Sequence, residues 1–210
     1  MLLVNFAKIL MMKKIFVFIL LLISAAGIPQ KKFNYLEAEN FQKKINSEYA
    51  DPMTSPLTEK DLKTFKSLEF YPVSSRYFVN AKFVKALNQK AFEMKTSTAR
   101  RPKYIKYGTV FFKINGVALQ LNVYQDIELS KSDKYKDHLF LPFSDKTCGR
   151  ESYIGGRYID LKIPKGNTIA IDFNQSYNPY CAYNYNYSCP IVPLENDLNI
   201  EIKAGVKTFH

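Results

Sequence analysis

Asn115-Gly116 lies between two runs that alternate apolar and polar residues, and this constrains the chain more than any other feature. A two-residue turn of this type needs positive φ at both positions, which Asn and Gly tolerate, and it pairs residues whose numbers sum to 231. Ile114 then meets Val117, Phe112 meets Leu119 and Val110 meets Leu121 on one face. Lys113 with Ala118 and Thr109 with Asn122 form the other. The faces agree throughout, so a hairpin with one buried side is expected. Tyr77, Val79, Ala81 and Phe83 alternate in the same way. Leu139 to Phe143 reads as a short strand that Pro142 moves to an edge or a bulge.

Ile159, Leu161 and Ile163 precede a Pro164-Lys165-Gly166-Asn167 turn, and Ile169, Ile171 and Phe173 follow it. If both apolar sets face one core, the compact register sums to 332 and sets Asp160 directly opposite Asp172 on the outer face. Leu198, Ile200 and Ile202 supply a last strand before Ala204-Gly205. With 15 Tyr and 16 Phe but no Trp, the chain is rich in rings that suit a pleated, half-buried surface. The expected fold is mainly β, an antiparallel β-sandwich or partly open β-barrel, with one or two N-terminal helices. The first helix starts at Asn34, buries Ala38, Phe41, Ile45 and Tyr49, and stops at Asp51-Pro52. A shorter one follows Thr58, with Asp61 at the capping-box position and Leu62 and Phe65 inward. Residues 27–67 thus form a helical segment that packs as one unit with a β-rich 68–210.

Met11, Met12, Lys13 and Lys14, then an apolar run from Ile15 to Ile23, then Ser24, Ala25, Ala26 and Gly27, follow the order of a secretory signal. The expectation is cleavage after about residue 26, with roughly the first ten residues an upstream start, and a periplasmic or secreted product. No later run is long enough for a membrane span in the mature chain. Loss of residues 1–26 removes three lysines and no acid, taking the net charge from +11 to +8. Arg76 to Lys113 holds ten Lys or Arg against Glu93 alone. Such a stretch is either an ordinary solvated face or a surface for an anionic envelope polymer; outside the cytoplasm nucleic acid is not the expected partner.

Two carboxylates facing each other need compensation, from Arg157, a shared proton, a hard cation or a substrate hydroxyl. Asp160 and Asp172, with Glu151, are therefore the candidate catalytic acids. Residues 177–187 contain five tyrosines, bracketed by Pro179 and Pro190, and read as a long ordered loop suited to stacking on a ligand or to capping a barrel end. Cys181 and Cys189, with seven residues between them, would join as a disulfide in an exported protein, with a reduced pair as the alternative. His138 and His210 stand at no metal-ligand spacing, so no metal and no cofactor is expected. Nucleophile-elbow, phosphate-loop and dinucleotide motifs are absent from the sequence.

Several segments together carry a resemblance: Phe140 to Thr147, Gly149 to Tyr153, Gly156 to Leu161, Asp172-Phe173-Asn174, Tyr177-Asn178-Pro179, Cys181-Ala182-Tyr183, Ser188-Cys189-Pro190 and Glu195-Asn196. The chain from about Phe41 to Thr208 resembles the family known as domain of unknown function 1684, in its exported Bacteroidetes-type form. The resemblance brings no activity with it. It implies that Glu151, Tyr153, Arg157, Tyr158, Asp160, Asp172, Asn174, Asn178, Cys181, Cys189 and Asn196 belong to one motif set. Cys148 departs from the family pattern and is left outside it. The functional expectation is a small polar or glycan-like ligand in a pocket at one end of the sheet. Arg157 would neutralise it, Asp160, Asp172 and Asn174 would hydrogen-bond it, and Tyr177, Tyr183 and Tyr187 would stack on it. Tyr158, Asn178 and Asn196 complete the set. A carboxylate-based glycoside or ester hydrolase and an envelope scaffold with a basic face are the alternatives.

Overall fold

The structure is a computed structural model and describes residues 30–209. The secretory-signal reading of residues 1–26 therefore lies outside the described residues. Helix α1 spans Tyr35–Ala50, with the Asn34 side chain accepting from the Leu36 N–H. It buries Ala38, Ile45 and Tyr49 at helical spacing. Helix α2 is a single turn, Glu59–Leu62, closed by a capping box in which Thr58 accepts from the Asp61 N–H and donates to its carboxylate.

Eight strands follow: β1 Phe78–Lys85, β2 Phe92–Glu93, β3 Lys103–Ile114, β4 Val117–Asp126, β5 His138–Asp145, β6 Arg157–Lys162, β7 Thr168–Asp172 and β8 Asp197–Leu198. The sheet runs β6-β5-β4-β3-β1-β7, with β2 beside β3 and β8 parallel to β5. The fold is mainly β, an antiparallel sheet curled into a partly open barrel. Its inner face carries the main core, including Phe83, Val110, Phe112, Leu121, Leu139, Leu141, Ile159 and Ile171. Tyr104, Tyr124, Phe140 and Tyr158 cluster separately with Met94. Tyr49 of α1 joins Ile45, Leu57, Leu68, Tyr183 and Val206 in a third cluster.

The β3–β4 hairpin has the expected register, from Ile114 opposite Val117 to Thr109 opposite Asn122. Asn115 and Gly116 take φ of 53° and 80°. A Cβ on Gly116 would meet nothing within 4 Å, so Gly116→Ala tests backbone strain alone. A loss of ~1 kcal/mol is expected in chemical denaturation; an unchanged midpoint would mean the turn does not need the left-handed conformation.

Two expectations are corrected. First, β6 and β7 do not pair. Ile159, Leu161, Ile169 and Ile171 do face one core, but β6 pairs with β5 and β7 with β1, so Asp160 stands opposite Phe140 and Asp172 opposite Phe78. The connection between them is pinned at its two ends to different neighbours: the Ile163 N–H donates to Asp137 O, and the Phe83 N–H donates to Asn167 O. That holds the strands apart and makes them the two ends of the sheet. Second, Pro142 does not put β5 at an edge. It lies opposite Tyr158 in an interior strand, and the β4–β5 ladder shrinks to the pair Tyr124 and Phe140. Past that pair, the buried Asn196 side chain bridges the strands. Its Oδ1 accepts from the Asn122 N–H at 2.8 Å, and its Nδ2 donates to Asn122 O at 2.9 Å and Pro142 O at 2.6 Å. One side-chain amide thus stands in for the peptide that a proline-containing strand cannot supply.

Candidate functional site

Because β6 and β7 follow one another yet pair with other strands, a groove opens between them. At its far end the Tyr158 and Tyr177 backbones exchange two hydrogen bonds, of 2.8 and 3.0 Å. The chain from Tyr158 to Tyr177 therefore forms a closed frame. Tyr158 turns its peptide groups away from β5, and strand alternation turns those of Asp160 and Lys162 the same way, into the groove. Among the described residues no ladder joins them to β7. The resulting cavity has a volume of about 430 Å³, with Ile159 and Leu161 among its apolar walls and Asp160, Lys162, His138, Asp172 and Gln175 among its polar ones.

Asp160 is the focus of this cavity. Its Oδ1 is 2.9 Å from His138 Nε2, and its Oδ2 accepts from the Tyr177 hydroxyl at 2.9 Å. His138 and Asp160 lie diagonally across the β5–β6 ladder, since His138 is opposite Lys162 and Phe140 opposite Asp160. Burial, with the Asp160 charge adding to it, pushes the Tyr177 phenol well above its usual value, so Tyr177 stays a neutral donor. The Asp160 side chain keeps 53 % of its surface exposed. It also lines a second cavity of about 170 Å³, with Phe41, Glu48, Tyr49, Tyr177 and Tyr180. Asp172 caps the 3-10 turn Phe173–Gln175, accepting from the Asn174 N–H and side-chain amide and from Gln175 Nε2. Lys31 and Lys134 add positive charge to the groove.

Asp160 and Asp172 line this cavity and Tyr177 is hydrogen-bonded to Asp160, whereas the other expected site residues lie elsewhere. Arg157 is fully buried. Its guanidinium forms an ion pair with Asp145 at 2.5 Å and donates to the carbonyls of Ile202 and Ala204. Asn174 clamps Ser74, accepting from its N–H and donating to its carbonyl, and Asn178 donates to Lys207 O. Asn196 bridges β4 and β5. The Tyr158 hydroxyl donates to Pro190 O. Tyr183 packs edge-on against Tyr49 at 4.9 Å, and Tyr187, 36 % exposed, against Tyr180 at 5.2 Å. Glu151 pairs with Lys203 at 2.9 Å. The ring-rich segment thus packs on α1 and on its own rings.

The expected Cys181–Cys189 disulfide is not formed, and all three cysteines are free. Cys189 Sγ accepts from the Cys181 N–H at 3.1 Å, which turns its sulfur toward the backbone of the 3-10 turn Tyr180–Ala182. Among the described residues no group of three His, Cys, Asp or Glu could hold a metal ion, and no helix is long and apolar enough to cross a membrane. Sequence reasoning missed His138, Lys162 and Gln175. Only the β5–β6 register brings His138 to Asp160, and no local pattern announces that pairing.

A family model described as "Protein of unknown function (DUF1684)" matches residues 63–207. The chain belongs to the DUF1684 family. The DUF1684 match includes every strand and Asp160, Asp172, Tyr177 and His138. The DUF1684 chain is also similar to an uncharacterized protein of Haloarcula marismortui solved by NMR. The two are 28 % identical with a TM-score of 0.64, over 82 % of this chain and 93 % of that one. No functionally curated protein matches the sequence.

Proposed function

We propose that this DUF1684 protein binds a small polar ligand, acidic or glycan-like, in the groove between β6 and β7, and that it does so after export. The observation that carries the reading is Asp160. It is held on the groove wall by His138 from one side and Tyr177 from the other, where the sheet leaves two strand edges unjoined. A carboxylate oriented in this way accepts hydroxyl hydrogen bonds with little further ordering. Lys31, Lys134 and Lys162 stand among Asp137, Asp160 and Asp172, a lining of mixed charge that suits a ligand carrying both hydroxyl and anionic groups. The unjoined peptide edges offer further donors and acceptors. Export rests on the order of charged, apolar and small residues from Met11 to Gly27. The exposed cations on and around β1 to β3 are the surface an anionic envelope polymer would meet.

Carboxylate hydrolysis is the weaker reading. Asp160 and Asp172 line one cavity, yet Asp172 is committed to capping its own 3-10 turn, accepting from the Asn174 N–H and side-chain amide and from Gln175 Nε2. An acid or base in that chemistry needs a free oxygen aimed at the reacting bond. The test is a thermal-shift and calorimetric screen of sugar acids and neutral oligosaccharides against the wild type, Asp160→Asn, Lys162→Ala and Tyr187→Phe. A ligand of this groove should bind at least about tenfold more weakly to Asp160→Asn, the loss of one charged hydrogen bond, and normally to Tyr187→Phe. Equal affinity across all four proteins would place the ligand elsewhere.

A further inference from the structure

We propose that Cys181 and Cys189 form a redox-active dithiol that exchanges with disulfides, Cys181 attacking and Cys189 resolving. This inference is independent of the groove and its ligand. The two cysteines are neighbours: Cys189 Sγ lies 3.1 Å from the Cys181 backbone nitrogen and accepts its N–H. They are also unequal, as attack and resolution require. Cys181 is half-buried on a single 3-10 turn, whereas Cys189 is 7 % exposed.

Cys189 is fixed by the segment beside it. Its N–H donates to Ser97 Oγ, its carbonyl accepts from the Ser97 N–H, and the next bond along runs from the Ile191 N–H to Lys95 O. The Tyr153 hydroxyl stands 3.9 Å from Cys181 Sγ. The hydrogen bond from the Cys189 thiol, helped by Tyr153 and Ser97 against the opposing effect of burial, holds the Cys181 thiol down at about 6. The same shared bond and burial push the Cys189 thiol up. Both directions favour the thiolate on Cys181 and the proton on Cys189.

The step needs an oxidant, and a low-molecular-weight or protein disulfide, RSSR, supplies it. The Cys181 thiolate attacks one sulfur of RSSR, forming a mixed disulfide and expelling RS⁻, which takes up a proton. Cys189 then loses its proton to solvent and attacks the Cys181 sulfur, expelling the second RS⁻, which takes up a proton in its turn. The dithiol has lost two electrons and RSSR has become two RSH.

The test uses the full chain with Cys148→Ala, equilibrated in buffers of varied reduced and oxidised glutathione, acid-quenched, alkylated and mapped by mass spectrometry. The bridge should form and disappear reversibly with the glutathione ratio. Cys189→Ala should accumulate one glutathione on Cys181, and Cys181→Ala should take up none at Cys189 on the same timescale. A bridge that resists dithiothreitol in the native protein would make the pair a permanent staple and overturn the proposal. So would a pair that never bridges, or one whose Cys189 is modified as fast as Cys181. Should the variants fail to fold, reduced wild type decides: iodoacetamide is expected to label Cys181 at least tenfold faster than Cys189, and equal rates would overturn the assignment.

Discussion

Arg157→Ala is expected to lower the unfolding free energy by ~3–5 kcal/mol, the usual consequence of removing one partner of a buried ion pair. Neither side chain of the Arg157–Asp145 pair has any exposed surface. Alanine would leave the Asp145 carboxylate without a cation in the interior, although the Thr147 N–H still donates to it at 2.6 Å. It would also strip donors from the carbonyls of Ile202 and Ala204. Arg157→Lys should recover only part of the loss, because an ammonium cannot reach a carboxylate and several carbonyls with the geometry of a planar fork. Urea denaturation measures this, and a double-mutant cycle with Asp145→Asn should give a coupling well above ~1 kcal/mol. A loss smaller than that, combined with loss of ligand affinity, would return Arg157 to a binding role.

Asn196→Ala should cost ~3 kcal/mol, since it takes the partner from the half-buried Asn122 N–H and carbonyl and from the buried Pro142 carbonyl at once, each a penalty of up to ~1–3 kcal/mol before water or relaxation offsets it. Asn196→Asp is the sharper variant. It keeps an acceptor for the Asn122 N–H and loses both donated bonds, to Asn122 O and Pro142 O. Hydrogen exchange gives a local reading: in the alanine variant the Asn122 amide should lose protection ahead of its neighbours in β4. If Asn122 stays as protected as the rest of the strand, the side chain is not bridging there.

The hairpin was legible because a two-residue turn fixes pairing locally, and the face pattern checks it position by position. The β6 and β7 partners were not. A period of two says which face is buried and nothing about which strand lies alongside, so Ile159, Leu161, Ile169 and Ile171 fit the 332 register and the real one equally well. The Asp160–Asp172 opposition rested on that register and fell with it, although the curl of the sheet still brings both residues to one groove. Arg157, Asn174, Asn178 and Asn196 carry the same donors and acceptors whether they hold a ligand or the backbone. Their burial decides between these, and burial is a property of the assembled sheet. His138, judged only by metal spacing, became visible as a partner of Asp160 once β5 was set beside β6.

The bridging amide of Asn196 has a bearing on how the chain comes into being. It lies 74 positions after Asn122 and 54 after Pro142, so a growing polypeptide releases both halves of the β4–β5 seam long before the group that joins them. Until the final turn emerges, the seam is an open backbone flank with the pairing appetite of any sheet edge. A product truncated between Asp145 and Asn196 would retain the full hairpin and both sides of the seam, and would be a species prone to self-association. A single side chain that emerges after both strands it joins is what closes that flank.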